Sequence, residues 1–338
     1  MPERTCPRCD GENNAESRFC TKCGSNMDLP FKKERGTIVN LMIVITIFCA
    51  FVLTIEVCCL LVKAYDVMGI LDTIAYRVMI FIPFSVTLFS ITGTALKIYW
   101  ILIVITITIC ASYALYKFAG SFFKKGDATT EETGFFWTSN LFALDMLISM
   151  FIIMAVMMAG GDVSSPLPDN PLRLMFSAAN ASVWEELVDR ALFIGVPMAI
   201  ASLIITKNRS SIKCILGGFG ISKFSIVLIT ISAILFGASH FELWDQYWKI
   251  LQTGVGGFFL SYVFVKYGLY ASILMHFLTN FLSSFDWLLG ADMLVGLIGL
   301  VLILAGLVVL IHILTKAGGS VKRIRELPVF LNTHLKSE

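Results

Sequence analysis

Nine apolar stretches, each long enough to cross a bilayer, follow one another from residue 38 to residue 315. They lie near 38–62, 72–95, 98–118, 136–158, 174–206, 224–240, 246–265, 269–288 and 292–315. About 20 apolar residues span the hydrocarbon layer as a helix, since in lipid a backbone must satisfy its own hydrogen bonds. The pattern predicts an all-α polytopic membrane protein with about eight to nine transmembrane helices. Composition excludes a soluble alternative: 57% of the residues are hydrophobic and only 15% are charged, which leaves too little polar surface to cover a water-soluble domain. A net charge of +2 is too small to suggest nucleic acid. Membrane lipid is the expected surrounding, and no N-terminal signal peptide is visible.

The loops carry a charge pattern. Lys32, Lys33 and Arg35 precede the first stretch, Lys124 and Lys125 follow the third, and Lys207, Arg209, Lys213 and Lys223 follow the fifth. Lys322, Arg323 and Arg325 follow the last. Such clusters mark cytosolic loops. The segment 160–171 has two Asp, three Pro and no Lys or Arg, and reads as external. Nine crossings would put the two ends on opposite faces, yet both ends are basic. One of the first three stretches is therefore expected not to cross, and 72–95, with Asp72, Arg77 and Pro83, is the doubtful one.

Residues 1–30 differ from the rest. They hold Cys6-Pro-Arg-Cys9 and Cys20-Thr-Lys-Cys23, two knuckles that together offer four thiolates for one tetrahedral Zn²⁺. Gly11 and Gly24, behind each pair, suit the turns. So short a segment needs metal to fold, and a reducing cytosol disfavours disulfides. The expected plan is a zinc ribbon at 1–30, a basic linker at 31–37, N-terminal transmembrane helices at 38–130, a transmembrane core at 131–316 and a cytosolic tail at 317–338. The ribbon is expected in the cytosol, as a docking module for another protein. The remaining cysteines, Cys49, Cys58, Cys59, Cys110 and Cys214, have no ligand spacing and read as small buried hydrophobes.

Polar residues inside the apolar stretches are the candidates for function, because charge at membrane depth is costly and rarely idle. Ser182–Arg190 carries Glu185, Glu186, Asp189 and Arg190 on an expected long helix. Glu186 and Arg190 are i,i+4 neighbours in the favoured order, and Glu185 turns about 100° away from Glu186, alongside Asp189. Two further pairs follow at the same spacing, Phe236 with His240 and His276 with Asn280. Three separate spans with such groups are most simply satisfied by one shared hydrated cavity. Glu56 reads as interfacial or paired within its helix; Asn140 is similar, and Asp145 is nearer a polar cavity. His312 lies near a helix end and His334 in the tail.

These residues carry a resemblance. Glu185-Glu186-x-x-x-Arg190, Phe236-x-x-x-His240 and His276-x-x-x-Asn280 resemble the three ordered motifs of the CPBP family, the CAAX-protease and bacteriocin-processing (ABI) proteins, over roughly 136–290. The resemblance implies an intramembrane endopeptidase with a cavity open to the cytosol, cutting a peptide bond near the membrane face. Glu185 would be the general base, His240 would position the water, and His276 and Asn280 would stabilise the oxyanion. Glu186 and Arg190 would brace the helix. A protein or peptide substrate is implied, and a lipidated one only by the eukaryotic relatives. A carboxylate in an apolar cavity is a better base at neutral pH than one in water. Glu185, His240 and His276 would alternatively serve as metal ligands, but there is no H-E-x-x-H, so an active-site metal stays open. The rival class is a non-catalytic immunity, sensor or scaffold protein. A transporter would show inverted repeats, and none is visible. Prokaryotic relatives place such a chain in the cell membrane.

Overall fold

The computed structural model describes residues 3–5, 12–14, 21–22, 36–82, 84–123, 128–164, 170–289, 292–317 and 327–330. Two units separate, Met1–Asn40 and Leu41–Glu338. In the first, β1 (Glu3–Thr5) pairs antiparallel with β2 (Glu12–Asn14). The buried Asn13 side chain accepts from the Thr21 backbone N–H at 2.8 Å and its hydroxyl at 2.9 Å. Cys6, Cys9, Cys20 and Cys23 lie outside the described residues, as do the tail and His334.

The first apolar stretch is α1 (Thr37–Ile70). The second is no helix. A 3-10 turn at Leu71–Thr73 leads into an antiparallel hairpin of β3 (Tyr76–Ile82) and β4 (Phe84–Ile91), with a bulge between Val78 and Met79. The doubt about 72–95 is resolved as a β-ribbon, so the all-α expectation is corrected there. β-Branched and aromatic residues favour strands, whereas apolar side chains on both faces of each strand give a helix-like hydropathy.

The other stretches become helices: α2 (Gly93–Phe123), α3 (Gly134–Met158), α4 (Pro171–Glu186), α5 (Val196–Thr206), α6 (Lys223–Trp244), α7 (Tyr247–Tyr267), α8 (Leu269–Leu289) and α9 (Asp292–Ala317). Asn170 caps α4, its side chain accepting from the N–H groups of Leu172 and Arg173, and Pro171 occupies the first turn, where no donor is needed. A π-helix at Leu187–Gly195 joins α4 to α5 without a break. Pro197, the one breaker seen in the sequence, falls just beyond that wide segment. With α4 to α5 counted as one, the described residues hold eight helical rods, of which this is the fourth. Six rods are long and apolar enough to cross a membrane; α7 and α8 fall short of that measure, and they carry polar groups of the candidate site.

Small residues bring the rods close. At the crossing of α6 and α7, a methyl on Gly237 would lie 2.6 Å from the Ile250 carbonyl oxygen and 3.1 Å from the Gly254 Cα. At that of α3 and α9, one on Gly306 would lie 2.5 Å from the Ala143 oxygen. Such contacts suit helix packing in lipid, where shape and not hydrophobicity drives association. Asn140 ties α3 to α1 through Thr46 Oγ1 at 3.0 Å. Glu56 is not interfacial: it is fully buried, with neither carboxyl oxygen hydrogen-bonded among the described residues. Of the five cysteines read as buried, Cys49 and Cys214 are, while Cys58 is exposed on an apolar rod and Cys59 and Cys110 are partly so.

An even number of crossings returns the chain to its starting face. Pro328 and Val329 carbonyls accept from the first N–H groups of α6, Lys223 and Phe224, so the chain after α9 lies at the Lys223 end of the bundle. Single cysteines at Ser164 and Arg209 should then react with a membrane-impermeant thiol reagent from opposite faces. Reaction of both from one face would mean that the rod of α4 and α5 does not cross.

Candidate active site

The first motif lies where α4 widens into the π-helix. Such widened turns are uncommon and gather at functional sites. Gly195 closes the π-segment, and a methyl there would lie 2.6 Å from the Ile215 carbonyl oxygen and 2.8 Å from its Cα, so only glycine lets the rod lie against Arg209–Leu216. Within it, the Asp189 carbonyl accepts from Ser232 on α6 at 2.7 Å. The Asp189 carboxyl is buried, with no hydrogen bond among the described residues.

The expected pair of Glu186 and Arg190 is present, with Arg190 Nε 3.4 Å from Glu186 Oε2 and both side chains fully buried. The Arg190 guanidinium also lies 4.5 Å from the centre of the Phe236 ring. A cation between a carboxylate and an aromatic face is the arrangement that makes a buried guanidinium tolerable. Phe236 also meets His240 edge-on at 4.6 Å and His276 at 5.8 Å. In sequence it was only the first letter of a motif; in the fold it touches all three.

His276 on α8 joins the two glutamates. Its Nδ1–H donates to Glu186 Oε1 at 2.8 Å, since a carboxylate oxygen accepts, and its Nε2 lies 3.7 Å from Glu185 Oε2. The Glu185 side chain is one-fifth exposed, while that of Glu186 is closed off. His240 is fixed by donating Nδ1–H to the Phe236 carbonyl at 2.8 Å. A carbonyl only accepts, so in the neutral ring Nε2 keeps its lone pair. Both histidines line a cavity of about 80 Å³, with Asp145 from α3, Lys249 and Gln252 from α7, and Thr279 from α8. Asn280 is half-buried one turn beyond His276 and is not among the residues lining this cavity. Glu185 is also outside the lining, next to His276.

The hairpin reaches the same helix. Trp184 Nε1–H donates to the Met79 carbonyl of β3 at 2.6 Å, and Asn180 Nδ2 donates to the Tyr76 hydroxyl at 2.8 Å. Tyr99 of α2 donates in turn to Asn180 Oδ1 at 2.5 Å. Sequence reasoning missed this contact, and it missed Lys249; a lone lysine inside an apolar stretch was the available signal.

With the geometry in place, comparison with known proteins is informative. Residues 168–282 are similar to the family described as type II CAAX prenyl endopeptidase Rce1-like. That match contains all three motifs and supports the resemblance to CAAX proteases, and with it an integral membrane protease in general terms. It leaves the hairpin, α3 and α9 outside. No curated protein and no solved structure matches the chain. Among the described residues, no three His, Cys, Asp or Glu side chains are arranged to hold a metal ion. His240 gives Nδ1 to a backbone oxygen and His276 gives Nδ1 to Glu186, which leaves Nε2 of each ring uncommitted, that of His276 on the side of Glu185.

Proposed function

We propose that the protein is an intramembrane endopeptidase of the CAAX-protease type, in which Glu185 activates water without a metal. The observation that carries this is His276 lying between Glu185 and Glu186 while sharing a polar cavity with His240. Glu185 takes a proton from water as the oxygen attacks the scissile carbonyl carbon, and returns it to the leaving amine nitrogen as the C–N bond breaks. His240, with Nε2 bare, holds the water. His276 lies between the two glutamates and, with the Asn280 amide, supplies donors for the oxyanion. Glu186 and Arg190 keep His276 and Phe236 in place.

The cavity lies toward the face bearing Asp162, because Trp248 at the start of α7, next to Lys249, donates to the Asp162 carbonyl at 3.1 Å. The basic segment Lys207–Lys213 lies at the other end of α5. Access from the Asp162 face is therefore the reading the chain's own charge pattern favours, in place of the cytosolic opening implied by resemblance.

The deciding experiment is cleavage of a membrane-proximal peptide by the purified protein in lipid, repeated after exhaustive chelation on protein lacking residues 1–30. Activity should survive chelation. Loss of activity together with loss of a stoichiometric metal, in the parent and in His240→Ala, would establish a metal mechanism instead. For the ribbon we propose one Zn²⁺ held by Cys6, Cys9, Cys20 and Cys23, and a role in docking another protein. Elemental analysis should give about one zinc per full-length chain and none after deletion. Zinc content unchanged by deletion would rule the ribbon out as the site.

A further inference from the structure

Among the charges at membrane depth outside the three motifs, two face the cavity that His240 and His276 share. Asp145 is on α3, 5% exposed, and Lys249 is on α7 with Nζ donating to Gln252 Oε1 at 2.8 Å. Asp145 Oδ1 is buried with no hydrogen-bond partner among the described residues. Gly256 faces the carboxyl group: a methyl there would be in ordinary van der Waals contact with both oxygens, at 3.4 and 3.5 Å. A buried carboxylate oxygen left unpaired is costly, and Asp145 is one of the side chains of the cavity wall. The cavity is small, about 80 Å³, and a residue of an extended chain turns its own N–H donor and C=O acceptor to the same side, the complement of a carboxylate and an ammonium that share a cavity.

We propose that Asp145 and Lys249 clamp one extended residue of the substrate backbone next to the scissile bond, Asp145 accepting from its N–H and Lys249 donating to its carbonyl oxygen. This rests on the endopeptidase reading and adds to it the wall that sets the register of the bound chain. It also suits a protease that must read backbone and not sequence.

Two measurements on the full chain in lipid test the clamp. Asp145→Asn and Lys249→Met should each lower kcat/KM about 10- to 100-fold, the range for losing a hydrogen bond to a charged group. The double variant Asp145→Asn/Lys249→Met should recover thermal stability but not activity. Recovery of activity in the double variant would mean that the two merely neutralise each other, and would overturn the clamp. In the second, ester bonds replace amides one at a time along the peptide. One position beside the scissile bond should slow cleavage by the parent about 10-fold or more and have a much smaller effect on Asp145→Ala. An ester effect of equal size in both would also overturn the clamp. A parent that cleaves no peptide refutes the endopeptidase reading itself, and the clamp with it; a parent that cleaves while both single variants match it refutes the clamp alone.

Discussion

Glu185→Ala should abolish peptide cleavage while leaving the protein folded. The expected loss is about 10³-fold or more, because the group that takes the proton from water and returns it to the leaving amine is gone. The side chain is only one-fifth exposed but is not enclosed in hydrogen bonds; His276 Nε2 lies 3.7 Å from it. Removing it therefore opens space beside His276 without orphaning a buried cation. Glu185→Gln, which keeps the shape and cannot accept a proton, should be nearly as inactive. If the alanine variant turns over at the parental rate, the chemistry belongs elsewhere and the non-catalytic reading of the cavity gains the ground.

Arg190→Met should fail in a different way, through the fold. Arg190, Glu186 and the Phe236 ring form a closed contact with no solvent on either charge. Deleting one member of a buried pair leaves the other charge uncompensated, and costs about 3–5 kcal/mol. The carboxylate of Glu186 would keep the His276 N–H but lose its cation. The shift should appear as a large drop in the thermal inactivation temperature of the protein in lipid. Glu186→Gln/Arg190→Met should recover much of the stability, since both charges are gone, yet stay poorly active because His276 loses its carboxylate anchor. A single variant as stable as the parent would show that the pair carries nothing.

Much of the site was legible in the sequence because the membrane makes polar residues conspicuous. Glu185, Glu186, Arg190, His240 and His276 stood out as costly groups at helical spacing, and the fold brings them together. The rods were legible for the same reason, each within a few residues of its apolar stretch. What escaped was geometry that hydropathy does not encode. The hairpin reads as apolar as a helix, and only parity of charge betrayed it. The π-helix at Leu187–Gly195 has no composition of its own. That His276 spans two glutamates depends on how α8 packs on α4, which no spacing along one chain reveals. Asp145 was flagged as near a polar cavity and is there, whereas Lys249 was passed over as one charge in a long stretch.

The hairpin has a consequence for the supply of the reaction. Its contacts with Asn180 and Trp184 lie ten and fourteen residues beyond Asn170, about 15 and 21 Å along α4 at 1.5 Å per residue. One edge of β3 is tied there to the motif helix, and a two-stranded ribbon always has outer edges with unpaired N–H and C=O groups. Hydrocarbon does not tolerate such an edge, so irregular backbone at that depth must border protein or water. The outer edge of the ribbon must therefore border protein or water beside the motif helix, and a hydrolase consumes one molecule of water each time it acts.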